Sequence, residues 1–217
     1  AVNLDNRKEE VVRLIDEQGK LTEELQAAIA KAEKLQEVED IYRPYKQKRR
    51  TKATIAKERG LEPLATWLYS FPTQADIEKE ASQYISEEKE ILTIEDALQG
   101  AKDIIAEWVS DEADVRKYIR ELTFREGTIS TKAKDIEKDE KHVYEMYYEY
   151  EEPLKKVVPH RVLAINRGEK EEILRVGITS PIDKIQTFLK RSFVTNETSP
   201  AAPVVIEAIE DGYKRLI

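Results

Sequence analysis

The chain contains no cysteine, which removes a disulfide framework, a thiolate zinc site and a cysteine nucleophile from consideration. Histidine is nearly absent too. His142 and His160 are the whole supply, so a histidine-rich metal site is excluded and a Ser-His-Asp arrangement has few candidates. The seven glycines, at 19, 60, 100, 127, 168, 177 and 212, form neither a G-x-G-x-x-G nor a G-x-x-x-x-G-K phosphate cradle. Apolar runs are short and broken by charge, so no membrane span is expected. The opening Ala-Val-Asn-Leu-Asp has no basic n-region and no apolar h-region, and no signal peptide is expected. It also lacks an initiator Met, and Ile217 falls inside a helical stripe, so the expectation is a fragment of a longer cytoplasmic protein. Some pair among 44 carboxylates will always look catalytic, and without geometry that carries no weight. No enzymatic activity, cofactor or metal is expected.

What is present is charge and helical periodicity. The 217 residues suffice for one large domain or two small ones with a real core. With 40% hydrophobic and 37% charged residues, the balance suits slender helical layers that bury one stripe each. The net charge of −8 hides an asymmetry. Between Arg43 and Arg59 stand eight basic residues and one acidic residue, a local charge of +7 that leaves −15 for the remainder.

Val11, Leu14 and Ile15 form a first stripe that stops at Gly19. Thr22 caps the next, which runs through Leu25, Ile29, Ala32, Val38 and Tyr42, and with no Gly or Pro inside it predicts one long helix up to Pro44. Shorter helices are expected from Lys52 to Gly60, from Leu61 to about Pro72, and from Asp76 to Tyr84. The strongest element is Thr93–Ser110, where Ile94, Ala97, Leu98, Ala101, Ile104, Ile105, Trp108 and Val109 give a complete helical stripe. A partner helix with Val115, Tyr118, Ile119 and Leu122 ends at Gly127. The stretch 128–141 is polar without clear period and reads as a loop or a frayed helix. Tyr144, Tyr147 and Tyr148 share a helical face, the spacing of ordinary packing. Val-Leu-Ala-Ile within 161–167 and Ile-Leu-Arg-Val-Gly-Ile within 171–178, separated by a turn glycine, predict a β-hairpin. Two helices follow, from Ser180-Pro181 and from about Pro203. The expected class is mostly α, an irregular multi-helix scaffold with one β-hairpin near 161–178.

The basic run is the one serious functional candidate. Arg43, Lys46, Lys48, Arg49, Arg50 and Lys52 could neutralise phosphates and release counterions, with Tyr42 and Tyr45 at the edge to stack on bases. The alternative is that the run lies across acidic helices of the same or a later domain, which the −15 elsewhere makes easy to satisfy.

The stretch Tyr42-Arg-Pro-Tyr-Lys-Gln-Lys-Arg-Arg-Thr-Lys-Ala-Thr-Ile-Ala-Lys-Glu-Arg-Gly-Leu-Glu-Pro-Leu-Ala65 resembles the signature of the Tex family of bacterial transcription accessory proteins. Trp108-Val-Ser-Asp through Gly127 and His160-Arg-Val-Leu-Ala-Ile-Asn-Arg-Gly-Glu-Lys170 are similar to the same family. One departure is Val158-Pro159-His160, where Pro-Ser-His is expected. The resemblance implies a longer parent with an N-terminal helical region, an RNase-H-like YqgF domain, helix-hairpin-helix modules and a C-terminal OB-type RNA-binding domain. It further implies kinship with eukaryotic Spt-type elongation factors and a role in transcription and nucleic-acid binding. On that reading residues 1–160 are a helical N-terminal region. Residues 161–217, a hairpin and two helices, lead toward a YqgF domain that the chain lacks. The partners implied are downstream domains of the parent, RNA or single-stranded nucleic acid, and the transcription machinery. The function implied is a non-enzymatic scaffold, the alternative being a nucleic-acid contact made by the basic segment itself.

Overall fold

The computed structural model describes residues 2–46 and 50–214. The chain is mostly α and divides into two compact units, one built from residues up to Lys117 together with those from Gln186 onward, the other from Tyr118–Ile185. Among the described residues no helix is long and apolar enough to cross a membrane.

In the first unit, α1 (Val2–Glu17), α2 (Glu23–Lys31) and α3 (Leu35–Tyr42) bury Val11, Ile15, Ile29, Ala32, Val38 and Tyr42 against one another. The single long helix expected up to Pro44 is therefore broken at Ala32–Lys34, although no Gly or Pro stands there. The reason is packing. Nine residues separate Ile29 from Val38, about two and a half helical turns. An unbroken helix would place the two on opposite faces, whereas the observed fold buries both. The break is held locally: Ala32 leaves the helix with extended backbone, and the Glu33 N–H donates to the Glu37 carboxylate at 3.0 Å.

Next come α4 (Lys52–Glu58), α5 (Glu62–Tyr69), α6 (Ile77–Ser82) and α7 (Ile94–Asp111). Thr51 and Thr54 cap α4 reciprocally, and the Thr93 hydroxyl accepts from the Asp96 N–H at 3.1 Å to start α7. Helix α7 is the axis of this unit: Ala97, Ala101, Ile104, Ile105 and Val109 are fully buried, and α11 (Ala202–Lys214) lies along it with Val205, Ala208 and Ile209 inward. The two helices approach closely enough that a Cβ on Gly212 would lie 2.9 Å from the Ala106 carbonyl oxygen. Trp108, which ends the expected core stripe, is only half-buried, and its ring meets Tyr69 edge-on at 5.8 Å.

In the second unit, β1 (Thr128–Ala133) pairs antiparallel with both β2 (Glu149–Pro153) and β3 (Leu174–Thr179), in the order β2-β1-β3. Helix α9 (Pro159–Lys170) packs on this sheet around a core of Ile129, Tyr144, Tyr147, Ile165, Ile173 and Leu174. Helices α8 (Ala113–Glu126) and α10 (Ile182–Phe193) carry the chain from one unit into the other and back.

Two placements differ from expectation. Residues 128–133, expected as loop or frayed helix, form the central strand, with Ile129 and Thr131 facing the core in the period-2 alternation of a half-buried strand. Of the predicted hairpin at 161–178 only the second arm is a strand. The Val-Leu-Ala-Ile run is helical, entered through Pro159 at its first position; Ile165 and Gly168 are buried, while Leu163 is 69% exposed. A four-residue apolar run does not distinguish a buried strand from a helix, and here the proline decided.

Candidate nucleic-acid interface

The basic segment begins where α3 runs out. Pro44 cannot continue the helix, and Arg43–Tyr45 tighten into a 3₁₀ turn. The sequence-predicted contact residues then separate into three groups. Lys48 and Arg49 lie outside the described residues. Arg43 and Arg50 hold carboxylates: Arg43 Nε stands 3.5 Å from Asp111 Oδ1, and Arg50 Nη2 stands 2.9 Å from Glu58 Oε2. Lys46 and Lys52 are exposed and, among the described residues, paired with no carboxylate at ion-pair distance.

The same bracing continues through α4. Lys57 Nζ lies 3.4 Å from Glu107 Oε1, the Thr51 hydroxyl donates to Glu107 Oε2 at 3.2 Å, and Arg59 reaches Glu90 at 3.0 Å. Glu107 and Asp111 are four apart on α7, so they share a face, and their side chains are only 14% exposed. This pair is what reading the sequence for basic runs missed. Its signal was available as two acids at helical spacing on either side of Trp108, within the most strongly periodic helix.

Beside the segment the unit is concave. A groove of about 950 Å³ is lined by Leu25, Ile41, Tyr45 and Trp108 together with carboxylates that include Glu112 and Asp114. Desolvation at this wall, reinforced by the neighbouring Asp114 and Asp111, pushes the Glu112 carboxyl above its usual range. Lys31, Lys46, Lys57 and Lys117 line the same groove, so its wall is of mixed charge.

The flanking tyrosines are also committed. Tyr42 is 8% exposed, and the Arg7 guanidinium sits 5.4 Å from its ring centroid. Arg7 in turn holds Glu39 at 2.6 Å, which keeps that carboxyl below the usual range, first through the hydrogen bond and then through the charge. Tyr45 packs beside the α1–α3 core, and its carbonyl accepts from the Gln18 amide at 2.7 Å. Neither ring is a free stacking platform.

The other tyrosines build the sheet unit. Tyr144 and Tyr147 are buried, and Tyr147 meets Tyr150 edge-on at 5.4 Å. Asp139 accepts from the N–H groups of Val143 and Tyr144, both at 2.9 Å, and from the Tyr148 hydroxyl at 2.7 Å. Burial, and then that bond, push the Tyr148 phenol up to about 12. Arg161 donates to Glu152 at 2.7 Å and to the Tyr150 hydroxyl at 3.1 Å, a clamp between α9 and β2. Both histidines are exposed. Among the described residues no three His, Cys, Asp or Glu side chains are placed to hold a metal ion.

Comparison with known proteins places these elements in a family context. Residues 72–213 match the family model described as Tex central region-like, a span that begins after the basic segment. Protein YdcI of Bacillus subtilis is 58% identical over 216 residues, covering 99% of this chain and 30% of that protein. Protein tex of Bordetella pertussis is 38% identical over 191 residues, 83% of this chain and 24% of its own length. The transcriptional accessory protein Tex of Neisseria gonorrhoeae is 37% identical over 175 residues, 81% of this chain and 23% of that protein. The chain thus spans less than a third of the length of the curated relatives it matches.

Proposed function

Because this chain belongs to the Tex central region-like family, we propose that it is a non-enzymatic helical scaffold in a transcription accessory protein, ordering neighbouring domains. Its basic segment braces α3 and α4 against α7 rather than reading nucleic acid. The transcription role follows the name of the relative from N. gonorrhoeae. The scaffold reading is carried by one observation: the described arginines of the segment, and Lys57 with them, each hold a carboxylate of the same unit. Cations engaged in this way have part of their charge spent before a phosphate arrives.

The test is charge reversal at the brace. Arg43→Glu with Lys57→Glu turns two attractions into repulsions against Asp111 and Glu107, and should cost about 1–2 kcal/mol together, because partly exposed pairs contribute up to about 1 kcal/mol each. Trp67 and Trp108 both lie in the first unit, so tryptophan fluorescence during urea unfolding reports this loss directly. Unchanged stability would contradict the bracing role.

A second reading has its own observation. Lys46, Arg50 and Lys52 are exposed, and three cations on the rim suffice for a weak, non-specific phosphate contact with a single strand. In that case reversing Arg49 and Arg50 to Glu would abolish binding and leave stability unchanged, because the exposed Arg50–Glu58 pair contributes little.

A further inference from the structure

The sheet of the second unit has two edges, and only one is guarded. Along β1 the backbone hydrogen bonds alternate sides. The Ala133 N–H donates to the Tyr148 carbonyl and the Leu154 N–H to that of Gly127, so the odd-numbered residues of β1 bond toward β2. The Lys134 N–H donates to the Ile173 carbonyl, so the even-numbered residues bond toward β3. Carried through the register, Arg175, Gly177 and Thr179 spend their backbone groups on β1, and those of Leu174, Val176 and Ile178 point outward. By the same rule Glu149, Glu151 and Pro153 point outward on β2. There the proline has no N–H to offer and the two carboxylates repel another copy of the strand, as guarded edges do. Strand β3 carries neither device.

Leu174 is 1% exposed, so its part of the edge is covered, whereas Gly177 and Thr179 are exposed and Ile178 is 50% exposed. The open stretch is Val176–Ile178. Among the described residues no hydrogen bond reaches the outward N–H and C=O groups of Val176 and Ile178.

Those groups complement themselves. Where two copies of β3 meet antiparallel about a twofold axis at Gly177, Val176 of each copy faces Ile178 of the other as a hydrogen-bonded pair. The two pairs together use every outward group of Val176 and Ile178 in both copies. Gly177 meets its twin in a non-hydrogen-bonded pair, where strands come closest, and it has no side chain to crowd the axis. On that face Arg175 falls opposite Thr179, so no like charges are opposed. On the other face Val176 and Ile178 form aliphatic cross-strand pairs that cover the half-exposed Ile178.

We propose that the β3 edge is a self-pairing surface: a second copy of this chain adds its own β3 antiparallel, centred on Gly177, and the two three-stranded sheets join into one. The inference concerns assembly and stands apart from the bracing and scaffold readings.

So short an interface falls in the weak, transient class, with a dissociation constant between about 1 µM and about 1 mM, the span that sedimentation velocity of the 217-residue chain should cover. Ile178→Pro removes an outward N–H and no bond to β1. It should raise that constant at least about tenfold, because the dimer loses a hydrogen bond on each side of its axis. Glu151→Pro, the same change on the β2 edge, should leave it unchanged. The chain has no cysteine, so Gly177→Cys introduces its only thiol, beside the Ser130 hydroxyl on the exposed face. Across the axis the spacing of a non-hydrogen-bonded pair suits a disulfide. Under oxidation the Gly177→Cys chain should become a covalent dimer at least about tenfold faster than the Glu151→Cys chain, which sets the rate of chance encounters. A monomer at every concentration overturns the proposal. A dimer that Ile178→Pro leaves intact, or equal cross-linking from the two positions, overturns it as well. If Ile178→Pro does not fold, Thr179→Arg reads the same contact from the solvent face. It sets like charges opposite Arg175, so the dimer should weaken and recover at high salt, and a dimer indifferent to it overturns the register.

Discussion

Replacing Gly212 by alanine tests the packing of the first unit at its closest point. Alanine gains about 1 kcal/mol of intrinsic helix propensity over glycine, so an exposed helical glycine would be stabilised by the change. Gly212 is not exposed: the added Cβ would lie 2.9 Å from the Ala106 carbonyl oxygen, 3.4 Å from its Cα and 3.5 Å from its carbonyl carbon. All three atoms are helical backbone and cannot rotate away, so α11 must shift from α7 along a line that includes Val205, Ala208 and Ile209. Overpacking of this kind costs about 1–3 kcal/mol, and a backbone obstacle places it in the upper half of that range. After the propensity gain the net loss is about 1–2 kcal/mol, a fall in Tm of about 3–6 °C. Urea unfolding followed by tryptophan fluorescence isolates the first unit, because both tryptophans lie in it. A urea midpoint unchanged or raised would show that α7 and α11 do not approach as closely as Gly212 and Ala106 indicate.

Other consequences are as direct. Arg116→Met removes the guanidinium 3.3 Å from the Asp40 carboxylate, which is 3% exposed, and should cost about 3 kcal/mol in the same urea assay, because a buried carboxylate loses an ion-pair partner. Glu39 is held below the ordinary carboxylate range by Arg7, so the stability it gives is present above the unfolded value near 4.3 and lost as pH falls through the folded one. Glu39→Gln should therefore flatten the acid limb of stability against pH, while Glu112, shifted the other way, contributes with opposite sign. The neutral Tyr148 phenol is favoured in the folded state, so its contribution is full below about 10 and is lost as pH rises toward about 12. Phenolate absorbance should show a late-titrating step that Tyr148→Phe removes.

How much of this was legible in the sequence depended on whether a local rule or a distant contact decided each element. Thr22 and Thr93 announced the helices they cap, and the stripe from Ala97 to Val109 announced the axis of the first unit, because caps and periodicity act within a few residues. The break at Ala32–Lys34 was not legible. It follows from Ile29 and Val38 both packing on α1, a contact with residues far away in sequence. Strand β1 was hidden by its polarity, since Thr128, Ser130 and Lys132 face away from the core and leave Ile129 as the only strongly apolar signal. In 161–167 an apolar run that suits a strand became a helix with Val162 and Leu163 outward. The basic segment itself stood out at once. Its partners Glu107 and Asp111 did not, because their helical spacing marks a shared face but not what pairs with it across 50 residues or more.

Whether the basic segment is spent within the chain decides between bracing and binding. The most direct measurement is fluorescence anisotropy of a labelled single-stranded RNA titrated with the wild-type chain at about 50 and about 200 mM salt. Bracing predicts no salt-dependent binding at either concentration, and a loss of stability when Arg43 and Lys57 are reversed. Binding with Kd of roughly 10⁻⁴–10⁻⁶ M that weakens steeply with salt, and disappears when Arg49 and Arg50 are changed to Glu without loss of stability, would contradict it.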